Sequence, residues 1–257
     1  MGNKNVNKLF DLSGKVAVVT GGGGVLCGVI SRALAGQGVA VAVLDINEEV
    51  AQKVAGEIAG EGGKALAVKA DVLSRESLEG CLSTIREKFG HVDILVNGAG
   101  GNKKEATTSP ELNFFDLPQE AIKWVFDLNF IGTLLPCQVF GKAMVERGEG
   151  AIVNISSMNA FRPLTRIPAY SAAKAAVSNF TQWLAVHISR NYSRNIRVNA
   201  IAPGFFLTEQ NRFLLTEEKT GELTPRGKTI LDHTPLGRFG DPEDLISTLL
   251  WLVSPSS

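Results

Sequence analysis

Val16-Ala17-Val18-Val19-Thr20, followed without a break by Gly21-Gly22-Gly23-Gly24, is the stretch that decides the fold. A short continuous β-branched run reads as a strand buried on both faces, as in a parallel sheet. The glycines end it in a tight turn, and an apolar helical pattern takes over from about Leu26 to Gly36. Strand, glycine turn and helix in that order let the backbone approach an anionic group and seat it at the positive end of the helix, as a pyrophosphate-binding unit does. Taken alone, the glycines suit a plain tight turn equally well. Residues 39–44 read as the next strand, which ends in Asp45, about twenty positions after the turn, where a carboxylate accepts hydrogen bonds from both ribose hydroxyls of NAD and repels the 2′-phosphate of NADP. That spacing tips the reading toward a dinucleotide site.

Outward from this unit, candidate strands at 16–20, 39–45, 65–70, 94–97, 151–156 and 197–201 alternate with helical patterns, one of which repeats Leu78, Leu82, Ile85 and Phe89. The alternation predicts an α/β protein with a single doubly wound parallel sheet, helices on both faces and right-handed crossovers. Its ligand crevice lies at the carboxyl ends of the strands, where Gly21, Asp45, Asp71, Asn97, Ser157 and Pro203 fall. No linker or internal repeat interrupts the chain, so 1–257 reads as one dinucleotide-binding and catalytic domain. Residues 205–233 are long and polar and hold Gly221, Pro225 and Gly227. A connection of that length in a compact domain reads as a lid or substrate loop.

The chemistry is proposed by Ala169-Tyr170-Ser171-Ala172-Ala173-Lys174, with Ser157 thirteen residues before the tyrosine at the end of the run Ala151-Ile152-Val153-Asn154-Ile155. On a helix, positions i and i+4 share a face, so phenol and ammonium project together. The nearby cation is expected to lower the tyrosine pKa and make it a usable proton donor and acceptor. Ser157 would hold a substrate carbonyl or alcohol oxygen against the phenol. The Tyr-Lys pair by itself also suits an ordinary solvated helix.

Together these residues resemble the short-chain dehydrogenase/reductase family over nearly the whole chain. The family's opening Thr-Gly matches Thr20-Gly21, its adenine-contacting acid Asp71 in Ala70-Asp71-Val72, and its N-N-A-G Asn97-Gly98-Ala99-Gly100. Its active-site asparagine matches Asn129, its catalytic residues Ser157, Tyr170 and Lys174, and its carboxamide-contacting segment Pro203-Gly204 with Thr208. The resemblance implies a Rossmann fold and an NAD-dependent oxidoreductase. Tyr170 would pass the proton, Ser157 orient the substrate oxygen, Lys174 bind the nicotinamide ribose, and Asn129 hold a water. As a bare mid-helix residue, Asn129 could instead satisfy a backbone group. Cofactor contacts are implied for Gly21, Gly23, Gly24, Val25, Leu26, Asp45, Ile46, Asp71, Val72, Asn97, Gly98, Ala99, Tyr170, Lys174, Pro203, Gly204, Phe206 and Thr208. The family commonly forms tetramers through two long helices, here near 123–146 and 170–190.

Three departures stand out. In an ungapped alignment the second and third glycines of the first motif fall on Val25 and Cys27, so the pyrophosphate turn is expected to differ from the family's form. Gly98 replaces the second asparagine of N-N-A-G. The family continues beyond the helix near 245–253 into a last strand, which is expected to be absent here.

Segments 100–108, 156–165 and 203–212 resemble the D-mannonate oxidoreductase, or fructuronate reductase, subgroup. A sugar acid presents a carboxylate and several hydroxyls, and these segments offer Asn102, Ser157, Asn159, Arg162, Gln210, Asn211 and Arg212. Arginine clamps a carboxylate in bidentate fashion, although an arginine on a loop is usually just solvated. Another specificity in the family, such as 5-keto-gluconate or acyl carrier protein reduction, stays open, as does a catalytically silent NAD sensor. Asp45 argues against the acyl reaction, which wants NADPH.

Composition sets bounds. At 257 residues, with 26 basic and 26 acidic side chains, nothing points to nucleic acid or an anionic membrane surface. No apolar stretch is expected to reach the ~20 residues that span a bilayer, and residues 1–7 lack a secretory core, so a cytoplasmic protein is expected. Cys27, Cys81 and Cys137 are far apart without metal spacing and read as buried free thiols. No metal is expected.

Overall fold

The computed structural model describes residues 6–162, 165–207, 215–217 and 220–257, with the side chains of 6 and 7 excepted. Six strands, β1 (Val16–Thr20), β2 (Ala40–Asp45), β3 (Ala65–Lys69), β4 (Ile94–Asn97), β5 (Gly150–Ile155) and β6 (Ile196–Ile201), form one sheet in the order β3-β2-β1-β4-β5-β6. Every neighbouring pair is parallel. The order reverses between β1 and β4, and a crevice opens outside the carboxyl ends of the strands at such a switch point.

Alternation along the strands divides the core. Ala17 and Val19 face a layer containing Ile30 and Leu34 of α2 (Val25–Gly36), Val54 and Ile58 of α3 (Glu48–Gly60) and Leu249 of a C-terminal helix, Ile246–Val253. Val16 and Val18 face the opposite layer, with Leu78 and Ile85 of α4 (Arg75–Phe89), Phe140 and Met144 of α6 (Gly132–Arg147) and Ile188 of α7 (Pro168–Asn191). Strands covered on both sides in this way have no polar face, which is why β1 reads as an unbroken apolar run. At the amino ends of the strands, buried Asp93 accepts the Val16 N–H at 2.8 Å and meets Lys15, His91 and Arg147. It pins β1 against β4 and so fixes the geometry of the switch point.

Strand ends agree with the sequence reading to within a residue. The long helix expected near 123–146 runs as α5 (Gln119–Phe126), a π-turn (Asp127–Ile131) and α6. By length and composition this run, Gln119–Arg147, is apolar enough to cross a membrane, contrary to expectation, and 56% of its most apolar window is buried inside the fold. The 205–233 segment is not all loop. Helix α8 (Pro225–Asp232) lies within it, with Pro225 in its first turn and the Thr224 hydroxyl accepting the Gly227 N–H at 3.1 Å. Proline breaks helices from inside but suits their first turn, and Thr-Pro here is a start signal. The C-terminal helix is α9.

Candidate active site

The glycine turn is built by close approach. Gly21 adopts φ +63°, and a Cβ there would stand 2.9 Å from the Ala99 backbone. Gly23 is similarly closed off by Val50. The Thr20 hydroxyl accepts the N–H groups of Gly98 and Ala99 at 3.2 and 3.3 Å, tying the turn to the end of β4. Gly24 caps α2 in extended conformation and no side chain caps the helix. The first-turn N–H groups at Val25, Leu26 and Cys27 therefore point outward without an intrahelical acceptor, as an anion requires. Asp45 bends over the turn, its two oxygens accepting the N–H groups of Gly23 (3.1 Å) and Asn47 (3.0 Å). Lone pairs remain on both oxygens. These residues fit a dinucleotide.

The departures at Cys27 and Gly98 explain each other. A Cβ at Gly98 would overlap the Cys27 sulfur, so the thiol fills the space of the side chain that Gly98 lacks. Cys27 is buried, and burial pushes its thiol up to about 12. Val25 and Ile46 are exposed, as expected for residues flanking an open cleft. Asp71 accepts the Leu73 N–H at 2.9 Å, and Val72 packs where Gly132 leaves room.

The helical spacing brings Tyr170 and Lys174 together, with the Lys174 Nζ 5.6 Å from the Tyr170 ring centroid. That ammonium is buried and donates to the Ile155 carbonyl at 2.8 Å, and burial pulls its pKa down to about 8. The expectation that it would hold the phenol below its ordinary value is overturned. Desolvation pushes the Tyr170 pKa up, and a hydrogen bond to Ser157 only partly opposes it. The physical reason is that the lysine charge is turned toward a backbone carbonyl while the phenol sits among apolar neighbours, including Ala106 and Ala169. Ser157 is buried, and its hydroxyl accepts the Asn159 N–H at 3.2 Å, which fixes the turn after β5.

Asn129 lies in the π-turn and is fully buried. Its amide donates to the carbonyls of Val125 and Gly101, each at 2.7 Å, and accepts the Gly101 N–H at 3.2 Å. It satisfies a helix carbonyl and also holds the loop after β4. Gly100, which the sequence reading left without a role, has no space for a side chain: a Cβ would stand 2.7 Å from Asn129 Oδ1 and 3.4 Å from Lys174 Nζ. Only a glycine fits between these two.

Other expected residues are placed differently. The Asn97 side chain points into the core, donating to Asn154 at 2.9 Å and Cys137 at 3.1 Å, and Asn154 in turn donates to Thr181 at 2.9 Å. It braces β4, β5 and α7 beneath the crevice instead of lining it. Phe206 turns its ring into the core against Gly240, and its side chain is not available to a cofactor. The Asn102 amide donates to Thr107 at 2.8 Å and shapes its own loop. Asn159, half-buried, and Arg162, exposed, follow Ser157 along the chain, with exposed Met158 and Phe161 in the same turn. The Pro203 carbonyl accepts the Met158 N–H at 3.0 Å, so the chain through Gly204 passes beside the Ser157 turn. Thr208, Gln210, Asn211 and Arg212 lie outside the described residues. The three cysteines are free and buried.

Residues 15–219 match the family model of the short chain dehydrogenases. The chain belongs to the short-chain dehydrogenase family. It is 49% identical to the uncharacterized oxidoreductase UxuB of Bacillus subtilis (strain 168), over 96% of this chain and 90% of that protein. It is 31% identical to the 5-keto-D-gluconate 5-reductase of Escherichia coli (strain K12), over 98% and 93% respectively. Among solved structures, one from Haemophilus influenza with bound NAD, provisionally described as a D-mannonate oxidoreductase, superposes with a TM-score of 0.90 at 48% identity, covering 97% of this chain and 91% of that one. This short-chain dehydrogenase is thus an NAD-dependent oxidoreductase acting on CH–OH groups.

Proposed function

We propose that the enzyme interconverts a keto sugar acid and its hydroxy acid, with D-fructuronate and D-mannonate as the pair. The observation that carries this reading is the 48% identity, across nearly all of both chains, to the NAD-bound Haemophilus influenza protein. The polar side chains of Asn159 and Arg162, two and five residues after Ser157, support it, since a sugar acid needs charged and hydrogen-bonding partners. When bound, the nicotinamide supplies the hydride chemistry. Tyr170 gives its proton to the ketone oxygen, Ser157 orients that oxygen, Lys174 fixes the charge beneath the site, and Asn129 holds the Gly100–Gly101 backbone in place.

The test is NADH consumption by the purified enzyme with D-fructuronate, D-tagaturonate and 5-keto-D-gluconate in parallel. D-Fructuronate is expected to be turned over fastest, with Tyr170→Phe slower by about 10²- to 10⁴-fold. Turnover of 5-keto-D-gluconate alone would favour the second reading, for which the 31% identity to the Escherichia coli reductase speaks. No turnover of any of the three would sink the sugar-acid assignment. We also place the enzyme in the cytoplasm as a homotetramer assembled through α5–α6 and α7. Exposed Trp124, Trp183 and Val186, with the ring ladder Phe180–Trp183–His187–Tyr192, support that assembly. A monomeric mass by light scattering would refute it.

A further inference from the structure

The face of α7 that meets the end of β5 carries polar groups. Lys174, Ser178 and Thr181 follow at spacings of four and three, so one side of the helix presents all of them. Three consecutive residues of the strand end receive them. The Asn154 amide donates to the Thr181 hydroxyl at 2.9 Å, and the Ile155 carbonyl accepts the Lys174 ammonium at 2.8 Å. The buried Ser156 hydroxyl donates to the Lys174 carbonyl at 3.2 Å. A serine has one hydroxyl proton to give, so the half-buried Ser178 hydroxyl, 2.6 Å away, donates to Ser156. Neither serine has a part in the chemistry outlined above.

Apolar packing and hydrogen bonds act differently at such a junction. Burial of apolar surface is non-directional, so a helix held by it alone can slide or roll a little at small cost. Hydrogen bonds weaken steeply once distance or angle is spoiled, and Ser156 places two of them at one point. That point is itself fixed to the sheet, because the Ser156 N–H donates to the Ile201 carbonyl of β6 at 2.8 Å. Ser156 grips Lys174 by its carbonyl while Ile155 grips it by its ammonium, so main chain and side chain of one lysine are tied to adjacent residues of one strand end. The next residue along the chain from Ser156 is Ser157, and one turn back along α7 from Lys174 is Tyr170. The register of α7 on β5 therefore determines how the phenol and the Ser157 hydroxyl meet.

We propose that Ser156 and Ser178 are positioning residues, which clamp α7 to the end of β5 at Lys174 and so hold Tyr170 at working distance from Ser157. The inference rests on the proton-transfer role proposed for Tyr170 and is independent of which keto acid is the substrate.

The test uses two readouts on Ser156→Ala, Ser178→Ala, the double variant and Ser156→Thr, which keeps the hydroxyl. The chain has two tyrosines, so in a Tyr192→Phe background the ultraviolet difference signal of tyrosinate reports Tyr170 alone. Loosening α7 admits water to the phenol, which lowers its titration midpoint, and parts it from Ser157, which raises it. Desolvation is the larger influence in the folded protein, so Ser156→Ala is expected to titrate below the unsubstituted background. Ser178→Ala leaves the bond from Ser156 to the Lys174 carbonyl and should move the midpoint the same way by less. The double variant should go no further than Ser156→Ala, and Ser156→Thr should hardly move. In kinetics with NADH and D-fructuronate, kcat should fall about 10- to 100-fold in Ser156→Ala with KM nearly constant, as misplacement of a reacting group does. Ser156→Thr should restore most of it. A midpoint unmoved in both Ser156→Ala and Ser178→Ala would overturn the clamp, as would an unchanged kcat in both. Ser178 is only half-buried, so its variant decides if Ser156→Ala fails to fold. Absence of turnover of any keto acid by wild type would overturn the sugar-acid reading instead, and the midpoint would still decide the clamp.

Discussion

At the scale of single residues, Cys27 and Gly98 are the most informative pair. They are 71 positions apart, they fall in two different motifs, and each on its own looks like a weakened cofactor site. In space they are one feature, since the sulfur of Cys27 occupies the volume a side chain at 98 would need. Gly98→Ala is therefore expected to destabilise the protein by about 1–3 kcal/mol through overpacking, with a weaker grip on NAD because the neighbouring Ala99 backbone abuts Gly21. Adding Cys27→Gly should return much of the loss, so that the two changes are strongly non-additive. Urea melts of the four proteins of this cycle measure it. Simple additivity would mean that the two departures are unrelated. Residue identity was legible in the sequence here and the coupling was not, because coupling between distant positions exists only once the fold brings β4 beside the start of α2. Tyr170 and Lys174 gave the opposite result. Their juxtaposition was legible from helical spacing, but the direction of the tyrosine shift was not, since it depends on burial and on the Ile155 carbonyl that claims the ammonium.

At the scale of elements, the π-turn at Asp127–Ile131 shows where pattern reading stops. Apolar periodicity places a long helix over this region correctly, but one extra residue in a single turn leaves that pattern almost unchanged. What the turn achieves is local: it carries Asn129, whose amide group bonds Val125 and both polar groups of Gly101. Asn129→Ala would strip the buried Val125 carbonyl and the part-buried Gly101 carbonyl of a donor. The expected cost is on the order of 2 kcal/mol in stability, together with faster amide exchange in residues 100–109 and a loss of kcat larger than the stability change explains. Hydrogen exchange followed by mass spectrometry checks the loop. Unchanged protection there would mean that the asparagine serves the helix alone. Helix α8 was missed for a different reason. Pro225 and Gly227 were read as part of a loop, whereas Pro225 opens the helix behind a Thr224 cap and Gly227 permits its close packing.

At the scale of the whole molecule, topology explains why so few residues define the cofactor site. Parallel neighbours β1 and β2 run in register with Thr20 opposite Leu44, so Asp45 emerges beside Gly21 without any long-range adjustment. We propose two duties for the carboxylate. It accepts the N–H of Gly23 and so shapes the glycine turn, and it sets a negative charge where a 2′-phosphate would come. Two substitutions separate these duties. Asp45→Asn removes the charge and keeps one carbonyl oxygen, enough for the Gly23 N–H but not for the Asn47 N–H as well. It is expected to narrow the preference for NADH over NADPH by roughly 10- to 100-fold, at a cost of a few fold in NADH use, since like-charge juxtaposition is worth several kcal/mol when desolvated and less in an open cleft. Asp45→Ala removes both, and should weaken either cofactor further because the Gly23 N–H loses its acceptor. The ratio of kcat/KM for NADH and NADPH, measured at one ionic strength in all three proteins, decides between charge and scaffold. A ratio unchanged in Asp45→Asn would assign Asp45 to the turn alone and leave cofactor choice to residues farther along the crevice, such as exposed Ile46.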